Sequence, residues 1–177
     1  MRNLCILSGV LLLAAPGFFS QTLYPGDPRL DHGEIQWFQL RETRTDITRD
    51  LGVPQLATPF GNDFEAMSYQ FGDLDEQEYS HQLVFRKSTG QLVSVARNYQ
   101  PEINVDALFP PAQTSSYYLT TGNQRVFGIR LRRLSGGRLL LAMGAPLAGQ
   151  TTGQILLLHE EELANWYPWL AEQLKPV

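Results

Sequence analysis

The sequence predicts an α+β protein: a short N-terminal helix plus an antiparallel sheet, then a second antiparallel, strand-rich half closed by a C-terminal helix. Three observations predict it. A capped run with helical spacing, Thr43 to Gly52, precedes segments whose apolar residues alternate with period two. Short, turn-rich links join those segments, which suits hairpins and not parallel crossovers. Near the C-terminus, Glu160, Glu161 and Glu162 lead into aromatic and leucine residues at helical spacing.

The first twenty residues read as an export signal. Arg2 supplies the positive end, and Leu4 to Ala15 form an apolar run of signal length, shorter than the ~20 residues a spanning helix needs. Two cleavage points fit: after Gly17, with Ala15 and Gly17 at −3 and −1, and after Ser20, which is favoured because a polar, turn-rich stretch begins at Gln21. The single cysteine, Cys5, lies inside the apolar run, too early for lipid attachment. After cleavage the chain would hold no disulfide, thiolate zinc site or cysteine nucleophile. With 43% hydrophobic and 18% charged residues the chain is unlike a disordered one. A net charge of −4 lacks the basic footprint of a general nucleic-acid binder.

Five segments are expected: a signal peptide over 1–20, an irregular N-terminal segment over 21–33, an α+β unit over 34–97, a Pro-containing linker over 98–116, and a β-rich half with a C-terminal helix over 117–177. In the α+β unit, Thr43 and Asp46 form a capping box before a short helix. Ile47 and Leu51, four apart, share its buried face. Gly52 suits a left-handed cap, and Pro54 blocks continuation. After a loop from Gln55 to Glu65, Met67, Tyr69 and Phe71 alternate on one strand. Leu83 and Phe85 face one way on the next, and Val93 and Val95 share a face of the third. Pro101, Pro110 and Pro111 mark the linker. Beyond it, Tyr117 to Thr120 and Val126 to Leu134 are strand-like, with Phe127, Ile129 and Leu131 inward and Arg130 and Arg132 outward. Gly136-Gly137 turns the chain into Arg138 to Met143. Ile155 to Leu158, apolar throughout, reads as a central strand, and Pro168 should kink or restart the last helix.

The run Arg41-ETRTDITRDLGVPQ-Leu56, with Tyr69-Gln-Phe71, Leu83-Val-Phe85 and Gly90-Gln-Leu-Val93, resembles the SmpA/OmlA (BamE-like) domain over about residues 38–97. The resemblance implies a helix ending in a leucine-glycine-x-proline segment, followed by an antiparallel sheet. It also implies a small cell-envelope protein; members are often outer-membrane lipoproteins that assist β-barrel assembly, and the architecture recurs in secreted β-lactamase inhibitors. The lipid-attachment cysteine and the glycine that commonly opens the family's helix are missing here.

The candidate sites are few. Gly144-APLA-Gly149-Gln-Thr151 nearly spells a phosphate loop, but Gln150 stands where the lysine belongs. His32, His81 and His159 lack the spacing that aligns two ligands on one helical face, and the acidic run Asp73, Asp75, Glu76, Glu78 lacks the calcium-loop pattern. No serine sits in a nucleophile elbow. Arg125, Arg130, Arg132, Arg133 and Arg138 form a local basic stretch in an acidic chain, where guanidinium forks suit phosphate or carboxylate. Trp169 lies off the stripe formed by Trp166, Tyr167 and Leu170. The expectation is therefore an exported, non-enzymatic binding or scaffold protein, periplasmic or secreted, with no catalytic residues, cofactor, metal or nucleic-acid partner. No transmembrane segment is expected after signal cleavage. Arg130, Arg132, Arg138 and Trp169 would meet an envelope protein or an anionic surface. The alternative is an exported hydrolase or small-ligand-binding protein, its site assembled from His32, Glu34, His81 and His159.

Overall fold

Thr43 caps the first helix as its position before an i, i+4 apolar pair predicts. Its hydroxyl accepts from the Asp46 backbone N–H at 3.2 Å, and α1 (Arg44–Leu51) buries Ile47 and Leu51. Gly52 ends the helix at φ 82 and ψ −163, a region that residues with a β-carbon scarcely visit. The Tyr69 hydroxyl then donates to the Gly52 carbonyl at 3.1 Å, tying the helix end to the sheet.

That sheet is the body of the protein. This computed structural model describes residues 35, 38–71 and 78–175. The strands are β1 (Leu56–Phe60), β2 (Phe64–Phe71), β3 (Glu78–Arg86), β4 (Leu92–Asn104), β5 (Thr114–Thr121), β6 (Gln124–Leu134), β7 (Arg138–Met143) and β8 (Thr151–His159). All eight lie in one sheet in the order β1-β2-β3-β4-β8-β7-β6-β5, and every pairing is antiparallel. Two four-stranded meanders thus join through β4 and β8. One face buries Tyr69, Leu83, Phe85, Val95, Ile155 and Leu157 beneath α1, Phe38 and Phe109. The opposite face buries Ile129, Leu131, Leu139, Leu141, Leu156 and Leu158 beneath Leu163 and Leu170. Those two come from α2 (Leu163–Trp166) and α3 (Pro168–Leu174).

The α+β expectation is corrected by this arrangement. The fold is sheet-dominated, and among the described residues the α-helices run only 8, 4 and 7 residues. Two stretches expected to be irregular contain strand: the loop expected from Gln55 to Glu65 holds β1 and the start of β2, and the expected linker begins inside β4. Pro59 lies in β1, where a missing N–H is tolerated because β1 is an edge strand. Pro101 lies in β4 where pairing to β8 skips from Asn98↔Gln154 to Ile103↔Thr152, so it removes no bond from that ladder. The stretch read as a linker over 98–116 is thus half strand, followed by 3-10 turns at Asp106–Leu108 and Pro111–Gln113. A bulge also separates Val93 from Val95. Phe85 pairs with Leu92 and Val84 with Ser94, leaving Val93 as the extra residue; Val93 packs with Ala66 and Val84 while Val95 joins the α1 face. Ile155 to Leu158 is central and buried as expected. The 1–20 and 21–33 segments, His32, Glu34, Asp73, Asp75 and Glu76 lie outside the described residues. Among the described residues no helix is long and apolar enough to cross a membrane.

Gly52→Ala should destabilise the fold by about 1–3 kcal/mol, the usual cost of holding a β-carbon in a forbidden backbone region. Urea unfolding should show a lower midpoint at unchanged slope; an unchanged midpoint would mean that this backbone geometry is not needed.

Candidate functional site

The start of β4 and the end of β8 lie side by side, since Ser94 pairs with Leu158. Above them the chain returns twice. Before α1, the Arg41 N–H donates to the Leu92 carbonyl and the Arg44 N–H to the Gly90 carbonyl, both at 2.8 Å. After β8, Glu160–Glu162 forms a 3-10 turn that leads into α2. Between these segments lies a cleft of about 460 Å³, with Leu92 and Val93 among its lining residues.

Its walls are polar. Arg86, at the end of β3, donates from Nη2 to Glu162 Oε1 at 2.5 Å. Glu162 is buried and its second oxygen accepts from Asn165 Nδ2 at 3.1 Å. The Arg86 guanidinium also lies 5.1 Å from the centre of the Phe64 ring. Arg41 Nη2 meets Glu161 Oε1 at 2.9 Å in an exposed pair, and this hydrogen bond holds the Glu161 carboxyl below the usual carboxylate range. Arg41 is held at φ 81, a left-handed conformation that costs a residue with a β-carbon about 1–3 kcal/mol. His159 lines the same cleft, half-buried, and its imidazole makes no hydrogen bond among the described residues. The arrangement can bind charged groups of both signs. No three His, Cys, Asp or Glu side chains converge to hold a metal among the described residues.

The arginines picked out in the sequence are not gathered into an exposed surface. Arg130 is buried, ion-paired to Asp106 and bonded through Nε to the Ala145 carbonyl at 3.2 Å. Asp106 also accepts from the Gly149 N–H at 2.9 Å, and the Arg130 hydrogen bond is the main reason its carboxyl stays below its ordinary range. Arg132 donates to the Leu108 carbonyl at 3.0 Å, and Arg138 to the Ser135 carbonyl at 3.1 Å. Along β6, Ile129 and Leu131 are buried as expected. The second face of the strand, however, is covered by the 105–109 segment and is not open to water. Phe127, expected inside, is exposed. Trp169, expected outside, is half-buried against the Leu163–Leu170 cluster. The break at Tyr167, φ −134 and ψ 66, resets the helical phase on which that expectation rested. The near phosphate loop is the link between β7 and β8, which Gly149 fastens to Asp106.

His81 is fully buried, and Arg97 Nε donates to its Nε2 at 2.8 Å. That bond requires an unprotonated Nε2. Phe38 packs beside the ring at 6.0 Å. Burial, with the adjacent Arg97 charge, pushes the imidazole well below its ordinary 6.5. His81 and His159 therefore occupy different places, one inside the sheet face and one in the cleft. Of the cleft, sequence reasoning had singled out His159 and the glutamates, the latter only as helix-start acids. Arg41, Arg86 and Asn165 were missed, because nothing local links Arg86 to a glutamate 76 positions away.

No family model matches the chain, and no curated protein matches it. Comparison with solved structures finds similarity to an extracellular protein containing an SCP domain from Bacillus anthracis str. Ames, at 10% identity and a TM-score of 0.45. The alignment covers 73% of this chain and 47% of that one, so the chain spans less than half the length of that protein.

Arg130→Ala should cost about 2–4 kcal/mol, the scale for emptying a packed interior site and losing its hydrogen bonds, while Arg133→Ala at the surface should stay within about 0.5 kcal/mol. Equal unfolding midpoints for the two variants would refute the buried role of Arg130. Stability should also depend on His81. Its folded form resists protonation, so stability is complete above about pH 6.5 and falls as pH drops below it, where the unfolded chain binds a proton that the folded chain does not. Urea unfolding between pH 7.5 and pH 5 should show that decline, flattened in His81→Asn; an equal decline in both would assign the loss to other groups.

Proposed function

We propose that this chain is an exported, non-enzymatic binding protein of the cell envelope or exterior, and that the cleft is where it binds. The observation that carries the reading is the pairing inside the cleft. General acid or base catalysis needs a group whose pKa approaches the working pH. Here Arg41 moves Glu161 in the opposite direction, and Glu162 is clamped by Arg86 and Asn165. These groups hold charge in place instead of moving protons. The signal-like N-terminus and the resemblance to SmpA/OmlA domains support the export part of the reading, with β-barrel assembly one envelope role that the resemblance suggests.

A hydrolytic reading rests on one observation, the His159 imidazole beside Glu161 with no hydrogen bond of its own among the described residues. Turnover of an ester or peptide substrate that His159→Ala abolishes would favour it over simple binding.

Protein recovered from the envelope and the medium of its own cells should begin at Gln21. Native mass spectrometry should show a non-covalent adduct that disappears in Arg86→Met/Glu162→Leu, a change that replaces the ion pair with apolar groups of similar size. An adduct retained by that variant, or absent from the native protein, would remove the cleft as the binding site.

A further inference from the structure

Two ion pairs share the cleft, and they differ in kind. Arg86–Glu162 is close and largely enclosed, and both Glu162 oxygens are engaged. Arg41–Glu161 joins one guanidinium nitrogen to one carboxylate oxygen, with both side chains 60% exposed. The other polar atoms of that pair have no partner among the described residues. An exposed pair of this sort adds little to stability. Arg41 is nevertheless fixed in a left-handed conformation by the bond from its N–H to the Leu92 carbonyl. The main chain there is docked on β4, with the Leu92 N–H donating back to the Glu42 carbonyl at 2.8 Å, so the Arg41 side chain is presented to the cleft from a fixed backbone.

The cleft also balances its charges, two guanidiniums against two carboxylates. A simple anion would leave the cleft with an excess of negative charge, and a simple cation with an excess of positive charge. A molecule carrying both signs adds to the set without upsetting its balance. Its volume of about 460 Å³ is also that of a small-molecule site.

Building on the binding reading, we propose that the cleft takes a small zwitterion whose ammonium and oxyanion are separated by one or two carbons. It lies antiparallel along the Arg41–Glu161 pair. The oxyanion accepts from free N–H groups of Arg41 and Arg86, and the ammonium donates to the unengaged oxygen of Glu161. Free α-amino acids and the phosphoethanolamine group of lipids share this chemistry.

Calorimetric titration of the purified protein with L-alanine, O-phosphoethanolamine, propionate and ethylamine tests the proposal and separates the two sources. At least one zwitterion should bind tenfold or more tightly than either singly charged analogue. Glu161→Gln and Arg41→Gln should each weaken that zwitterion tenfold or more, with urea midpoints near the parent value. Propionate or ethylamine binding as tightly as the zwitterion would overturn the proposal, as would unchanged affinity in Glu161→Gln. Absence of binding by both zwitterions while the native adduct persists overturns the ligand class and leaves the binding reading standing. Absence of the adduct as well overturns both.

Discussion

The seam between β4 and β8 decides the rest of the structure. It joins residues about sixty positions apart, Ser94 with Leu158 and Val95 with Leu157, and turns two meanders into one sheet. A sheet carrying Val95, Leu156, Leu157 and Leu158 at its centre is apolar on both faces, so each face must be covered. The small helices answer that need. α1 with Phe38 and Phe109 closes one side, and α2 with α3 closes the other. Because β4 starts where β8 ends, the covering segments must cross the sheet at that point, and the cleft is the space between their crossings.

Covering segments so short cannot hold themselves. Helices of 4 and 7 residues are below the length at which a helix persists alone, and the only cysteine lies in the signal-like run. Arginine does the fastening. Arg130 and Arg132 reach from β6 to Asp106, Ala145 and Leu108. Arg86 reaches from β3 to the turn before α2. A guanidinium offers several donors in a rigid plane, so one side chain can satisfy carbonyl and carboxylate acceptors together. The sheet edges are managed by similar means. β1 is short and contains Pro59, while Gln173 from α3 donates to the Tyr118 carbonyl of the edge strand β5 at 2.9 Å, occupying a group that another strand would seek.

What could be read from the sequence was local. The capping box at Thr43, the buried pair Ile47 and Leu51, the Gly136-Gly137 turn and the apolar run of β8 all depend on residues a few positions apart. Alternation along β6 was equally legible, but period two only distinguishes the faces of a strand. Whether the second face meets water depends on Phe109 and Asp106, twenty or more residues earlier. Pro101 misled for a related reason. A proline breaks a strand only if its N–H is needed, and register is a property of the assembled sheet.

The cleft was hidden for the strongest version of that reason. Its charged walls come from the turn before α1, the end of β3 and the turn after β8. Each residue has an ordinary local reading: Arg86 as a strand end, Glu161 and Glu162 as acids at a helix start. Their meaning appears only when the seam brings the segments together. The seam also makes the cleft rigid, since Arg41 is anchored to β4 and Arg86 to the turn that follows β8. A site already held in shape loses little freedom when a ligand enters. Rigidity of this kind suits recognition of a fixed charge spacing, and the exposed Arg41–Glu161 pair is the part of the wall whose remaining donors and acceptor face a ligand.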